Sequence, residues 1–73
     1  MLKPGDVTNI IPQKMAVPNP AGGVKTVVRV RFDFRGTGGH YVDVDAQPGW
    51  DEIAKQLIRE EANRLAEVSD MQV

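Results

Sequence analysis

Cysteine is absent from this chain, and histidine and serine occur once each, as His40 and Ser69. Without cysteine there is no disulfide framework, no thiolate metal site and no thiol nucleophile. With one histidine and one serine, the sequence shows no recognisable catalytic constellation. Aromatic residues are also sparse, with two phenylalanines, one tyrosine and one tryptophan. No apolar run approaches the ~20 residues that span a bilayer, and Met1-Leu2-Lys3-Pro4-Gly5-Asp6 lacks the charged-then-apolar order of a secretory signal. The chain has 73 residues, one domain at most. A core of that size rarely supplies more than roughly 3–5 kcal/mol without a staple, and none is visible.

The net charge of −1 hides a division along the chain. Residues 1–40 carry six basic side chains (Lys3, Lys14, Lys25, Arg29, Arg31, Arg35) against Asp6 and Asp33, whereas residues 41–73 carry three against eight acids. Such asymmetry orients a folded domain on a charged partner when the two halves form opposite faces, and is ordinary solubilising charge when they do not.

The pattern predicts an α+β fold: an antiparallel β-hairpin packed by one C-terminal α-helix, after an extended Pro-rich N-terminal arm. Residues 1–23 hold Pro4, Pro12, Pro18 and Pro20 and end in Ala21-Gly22-Gly23, a composition that suppresses helix. Within this arm Val7–Ile11 is a β-prone run that can add a short third edge strand before Pro12 ends it. From Val24 the apolar period becomes two, placing Val24, Thr26, Val28, Val30, Phe32 and Phe34 on one face. Lys25, Val27, Arg29, Arg31, Asp33 and Arg35 take the other. Val42, Val44 and Ala46 continue the apolar face on a return strand beyond Gly36-Thr37-Gly38-Gly39. Opposed residues share a side, so two registers keep the apolar sets together. One pairs Phe34 with Val42. The other pairs Phe32 with Val42 and sets Arg31 against Asp43 and Arg29 against Asp45, which opposite charge favours.

Gln47-Pro48-Gly49 ends the return strand, and Gly49 is the expected N-cap of a helix opened by Trp50-Asp51-Glu52. Ile53, Ala54, Leu57, Ile58, Ala62, Leu65 and Val68 recur at spacings of three and four, one apolar stripe that should pack across the hairpin. Glu60 with Arg64 and Asp51 with Lys55 supply pairs four apart. The β-β-α body is expected over residues 24–70, with 71–73 as a tail.

The candidate chemistries are few. Gly36-Thr37-Gly38-Gly39-His40 is followed by a strand, not by the helix N-terminus that a phosphate loop requires, so it reads as a hairpin turn. His40, Asp43 and Asp45 lack a second histidine or thiolate, and a two-residue alternation of acids is also how a solvated face looks, so no metal and no cofactor is expected. So small a core leaves scant room for a dry catalytic pocket, and the expectation is a protein that is not an enzyme. Lys25, Arg29, Arg31 and Arg35 with Tyr41 form a basic, aromatic strand face able to lie on nucleic acid. Asp33, Asp43 and Asp45 share that face and repel phosphate, so nucleic-acid contact is expected to be weak or indirect. Protein docking draws on an exposed strand edge, on the apolar arm through Ile10 and Ile11, and on Trp50 at a domain corner. The partner-binding candidates are therefore Ile10, Ile11, Lys25, Arg29, Arg31, Arg35, Tyr41 and Trp50.

In size, lack of cysteine, proline-marked leader and strand-strand-helix body, the chain resembles the short phage-encoded transcription regulators that bind host RNA polymerase. The resemblance covers the general plan of the whole chain and carries no diagnostic motif, so it transfers no functional residues. It implies a protein that redirects transcription or termination by docking on bacterial RNA polymerase in the cytoplasm of the host; the expectation of an intracellular chain with no membrane contact comes from the lack of a spanning apolar run and of a secretory signal. Two alternatives belong to other classes: a virion structural or decoration protein whose arm clasps a neighbouring subunit, and a nucleic-acid-binding β-sheet module.

Overall fold

A computed structural model describes residues 2–71 and shows the α+β plan. Strands β1 (Val7–Pro18), β2 (Val24–Phe34) and β3 (Thr37–Asp45) form an antiparallel sheet in the order β1-β2-β3, and helix α1 (Trp50–Met71) packs on one side of it. Of the expected tail, Met71 closes the helix and the other two residues lie outside the described ones.

The third strand is longer than Val7–Ile11 and runs through Pro12, drawing twelve residues of the expected arm into the sheet. Pro12 is tolerated because β1 has one neighbour, so a missing donor on its far side breaks no ladder. A bulge precedes it. Thr8 opposes Asp33 and Ile11 opposes Arg31, so Asn9 and Ile10 together face Phe32. Asn9 takes a positive φ of 54°, which asparagine accepts more readily than most residues.

Between β2 and β3 the apolar sets share a side as expected, in a register that neither candidate anticipated. Val42 pairs with Val30, Val44 with Val28 and Asp43 with Arg29. The chain turns at Arg35-Gly36, whose φ values of 50° and 80° mark the two-residue type I′ loop that matches strand twist. Gly38 and Gly39 then oppose the single residue Asp33, with Gly39 at a φ of 88°. The glycines thus divide their work between turn and bulge, which shortens the loop and slides β3 along β2.

The core is Val28, Val30, Phe32, Phe34 and Val44 from the sheet against Ala54, Ile58, Ala62 and Ala66 from the helix. Three of those four helical residues are alanines at multiples of four, so the backbone lies close to the sheet. Ala66, absent from the expected stripe, is buried, while Ile53 and Val68, included in it, are 39% and 47% exposed. The contact follows i+4 steps, which drift around a helix of 3.6 residues per turn, so the helix crosses the strands obliquely. Gly49 acts as the N-cap, its carbonyl accepting from Ile53 N–H at 3.4 Å. On the wet side Lys55 and Arg64 pair with Glu52 and Glu61, three residues back, in place of the expected Asp51 and Glu60.

Candidate docking surfaces

The open face of the sheet carries most of the nominated residues, and its charges balance, two of its three cations in cross-strand ion pairs. Arg29 donates from Nε and Nη2 to the two carboxylate oxygens of Asp43 at 2.8 and 3.0 Å, and its guanidinium lies 4.2 Å from the Tyr41 ring centre. That paired geometry holds the Asp43 carboxyl below its ordinary pKa and raises that of Arg29. Lys25 meets Asp45 at 3.5 Å, and Asn9 Nδ2 donates to Asp33 at 2.7 Å. Among the described residues Arg31 has no such partner. The basic stripe is therefore offset by acids of the same face, with Arg31 left over, and is interleaved with exposed Ile11 and Tyr41 and with Val27, which is buried although it lies on this side.

Arg35 is not on that face. It sits in the type I′ turn, where its backbone N–H donates to the Asp6 carbonyl at 2.8 Å and its guanidinium reaches Asp6 Oδ2 at 3.2 Å and Asp70 Oδ1 at 3.4 Å. The Asp6 carboxyl is held below its ordinary pKa, first by the Lys3 backbone N–H at 2.8 Å and then by Arg35. One side chain thus joins the first turn, the hairpin and the last helical turn. His40 points the other way from its neighbours Tyr41 and Asp43, with its ring stacked 5.7 Å from Phe32 and edge-on to Phe34 at 6.3 Å. The imidazole is thereby separated by the sheet from Asp43 and Asp45. Among the described residues no three His, Cys, Asp or Glu side chains come together to hold a metal ion.

Ile10 and Trp50 meet elsewhere, in a groove on the helix side. Because α1 lies over β2 and β3, it leaves the inner surface of β1 uncovered, and a channel of about 430 Å³ runs between them. Its walls are Leu2, Val7, Ile10 and Pro12 on one side and Trp50, Ala54, Ile58 and Ala62 on the other, with Val30 beneath. Asp51, Lys55 and Arg59 line the helical rim. Arg59 has no hydrogen-bond or ion-pair partner among the described residues, and neither does Lys14, which follows Pro12 on the inner side of β1. Sequence reasoning missed this rim. Lys55 and Arg59 stand four apart beside the apolar stripe, and that spacing is the signal that places both on one flank.

No family model, curated protein or solved structure matches this chain. Its function is therefore read from these surfaces alone. Among the described residues no helix is long and apolar enough to cross a membrane. None of them buries a polar or charged side chain.

Proposed function

We propose that this protein is a non-enzymatic docking module whose α1–β1 groove receives an apolar segment of a protein partner flanked by carboxylates. The observation that carries the reading is the groove itself: an apolar channel left open beside the core, with Lys55 and Arg59 against the single acid Asp51 on one rim and Lys14 beyond the other. Apolar anchors would supply affinity and the cations would select acidic flanks and orient the approach. The exposed area supports a docking role. A compact monomer of 8.0 kDa is expected to expose about 4,450 Å². This chain exposes 5281 Å², and the excess is comparable to the roughly 800 Å² that each partner buries in a standard interface. The absence of any buried polar side chain among the described residues also favours binding over catalysis, which needs a titratable group in a dry setting.

The layout shared with short phage-encoded regulators makes bacterial RNA polymerase the partner to try first, in a bacterial cytoplasm. Immobilised polymerase should retain the purified chain, and Ile10→Asp or Arg59→Glu should each weaken retention at least tenfold with unchanged circular dichroism. No retention of the wild type removes polymerase as the partner. Retention that ignores both substitutions removes the groove. The balanced charge of the open face gives the nucleic-acid reading no comparable support.

A further inference from the structure

The two edges of the sheet are unlike. β1 is blunted by a bulge at Asn9 and by Pro12 and Pro18, devices that discourage strand addition. From His40 to Asp45 the outer edge of β3 has no proline and no lysine, and among the described residues no strand pairs with it. Its two acids are already matched by Arg29 and Lys25 from β2. Beside that edge runs a second unmatched surface. Ile53, Leu57, Glu60, Arg64, Glu67 and Met71 recur along α1 at alternating steps of four and three, the spacing of a helix–helix seam. The large apolar residues exposed on α1, namely Ile53, Val68 and Met71, lie on or beside this seam, and Met71 is 78% exposed.

We propose that a second copy of this chain is the occupant of both surfaces, forming a two-fold dimer in which β3 pairs antiparallel with β3 of the partner and α1 packs antiparallel with its counterpart. The helical seam is self-complementary about residue 62. Positions equidistant from it bring Ile53 against Met71 of the second copy, Leu57 against Glu67 and Val68, and Glu60 against Arg64. That last pair forms twice, as two-fold symmetry requires. Arg64 has donors enough to keep Glu61 while meeting a second carboxylate.

The strand pairing needs the same axis, and the two elements agree on its height. Arg35, in the turn that opens β3, bonds Asp70 in the last turn of α1, which sets the end of the helix against the start of the strand. From Asp70 back to residue 62 the helix spans about 12 Å. From Thr37 to Tyr41, opposite Phe34 to Arg31, the strand advances about 10 Å. A dyad perpendicular to the sheet beside Tyr41 of β3 is thus close to level with residue 62 of α1. Centred there, Tyr41 meets Tyr41 of the other copy on the open face, His40 meets Val42, and Gly39 meets Asp43, so no carboxylate opposes another. Adjacent strands stand ~4.8 Å apart, so a helix seated between β2 and β3 lies ~4.8 Å from the axis. The two helices then stand ~10 Å apart, at the upper end of ordinary packing distances. The result is a six-stranded sheet, β1-β2-β3-β3-β2-β1, carrying two antiparallel helices on one side. It uses no part of the α1–β1 groove.

Light scattering after gel filtration, run over a concentration series, tests this. The wild type should weigh about twice 8.0 kDa and shift toward the single-chain mass on dilution. Glu60→Arg and Arg64→Glu should each give monomers with intact circular dichroism, and the double exchange should restore the dimer. Because the chain has no cysteine, Ile53→Cys mixed with Met71→Cys should oxidise to a mixed disulfide dimer that neither forms alone. A wild type that stays monomeric at millimolar concentration overturns the proposal, as does a dimer indifferent to both charge reversals. Neither result bears on the groove, whose variants carry their own readout.

Discussion

Ala62 offers the sharpest test of how closely the helix lies on the sheet. Its side chain is 0% exposed, in a run of alanines that brings α1 down onto Val30 and Phe32. Ala62→Leu adds three carbons at a position that also walls the groove, and the part of the new side chain that stays between helix and sheet must displace packed neighbours, an overpacking that costs about 1–3 kcal/mol. A domain of this length has on the order of 3–5 kcal/mol in total, so the loss removes a large share of it. With a denaturant slope near 1 kcal/mol per molar urea, the midpoint should fall by ~1–3 M, read from Trp50 fluorescence and far-ultraviolet circular dichroism together. The neighbouring Asn63→Leu is the control, because that exposed position receives the same side chain with no packing consequence, and its stability should move by less than about 0.5 kcal/mol. Both variants must be compared at one protein concentration, since self-association contributes to apparent stability. If Ala62→Leu unfolds with the wild type, α1 does not rest on the sheet at this point and the account of the core is wrong.

The glycines around the turn should separate by backbone, not by space. Gly36→Ala forces an L-residue to a φ of 80° and should cost about 1–2 kcal/mol. Gly38→Ala, whose added carbon would stand 3.2 Å from the Asp33 carboxylate, needs that flexible side chain to move a little. It should therefore melt above Gly36→Ala in a thermal scan, and the reverse order would reject the assigned turn. The paired carboxylates predict acid sensitivity. Asp43, Asp6 and Glu61 all have lowered values in the folded chain, so their contribution is intact above the unfolded carboxylate range and is lost as pH falls through the lower folded values. Urea midpoints should fall as pH drops below about 4, and Asp43→Asn should flatten that fall. An unchanged slope would mean that the Arg29 pair adds nothing.

Which parts of the molecule could be read from the chain depends on the physics that set them. The alternation from Val24 to Phe34 fixes which side chains face inward, because strand geometry admits one period, and the helix beginning at Trp50 follows from its own spacing. The register of β3 could not be read the same way. A single extra residue at Gly38-Gly39 slides the strand, and glycine patterns do not distinguish a loop from a turn followed by a bulge. Pro12 misleads for a related reason: it terminates a central strand but not an edge strand, and edge status is a property of the finished sheet. Ile53 and Val68 belong to an apolar spacing that serves two surfaces, and only the oblique path of α1 shows which residues reach the core. Of the nominated partner-binding residues, Ile10 and Trp50 line the groove, Ile11, Lys25, Arg29, Arg31 and Tyr41 share the open face, and Arg35 ties the turn to both ends of the described chain. The division arises because residues adjacent in sequence, such as Ile10 and Ile11, emerge on opposite sides of a strand.

The proline and the bulge in β1 have a further effect. A ribbon that can be extended along one border alone cannot propagate: once that border is occupied, the enlarged sheet ends in two guarded margins. Assembly through β3 therefore stops at a finite particle, and the sequence carries within its first strand a safeguard against fibre growth.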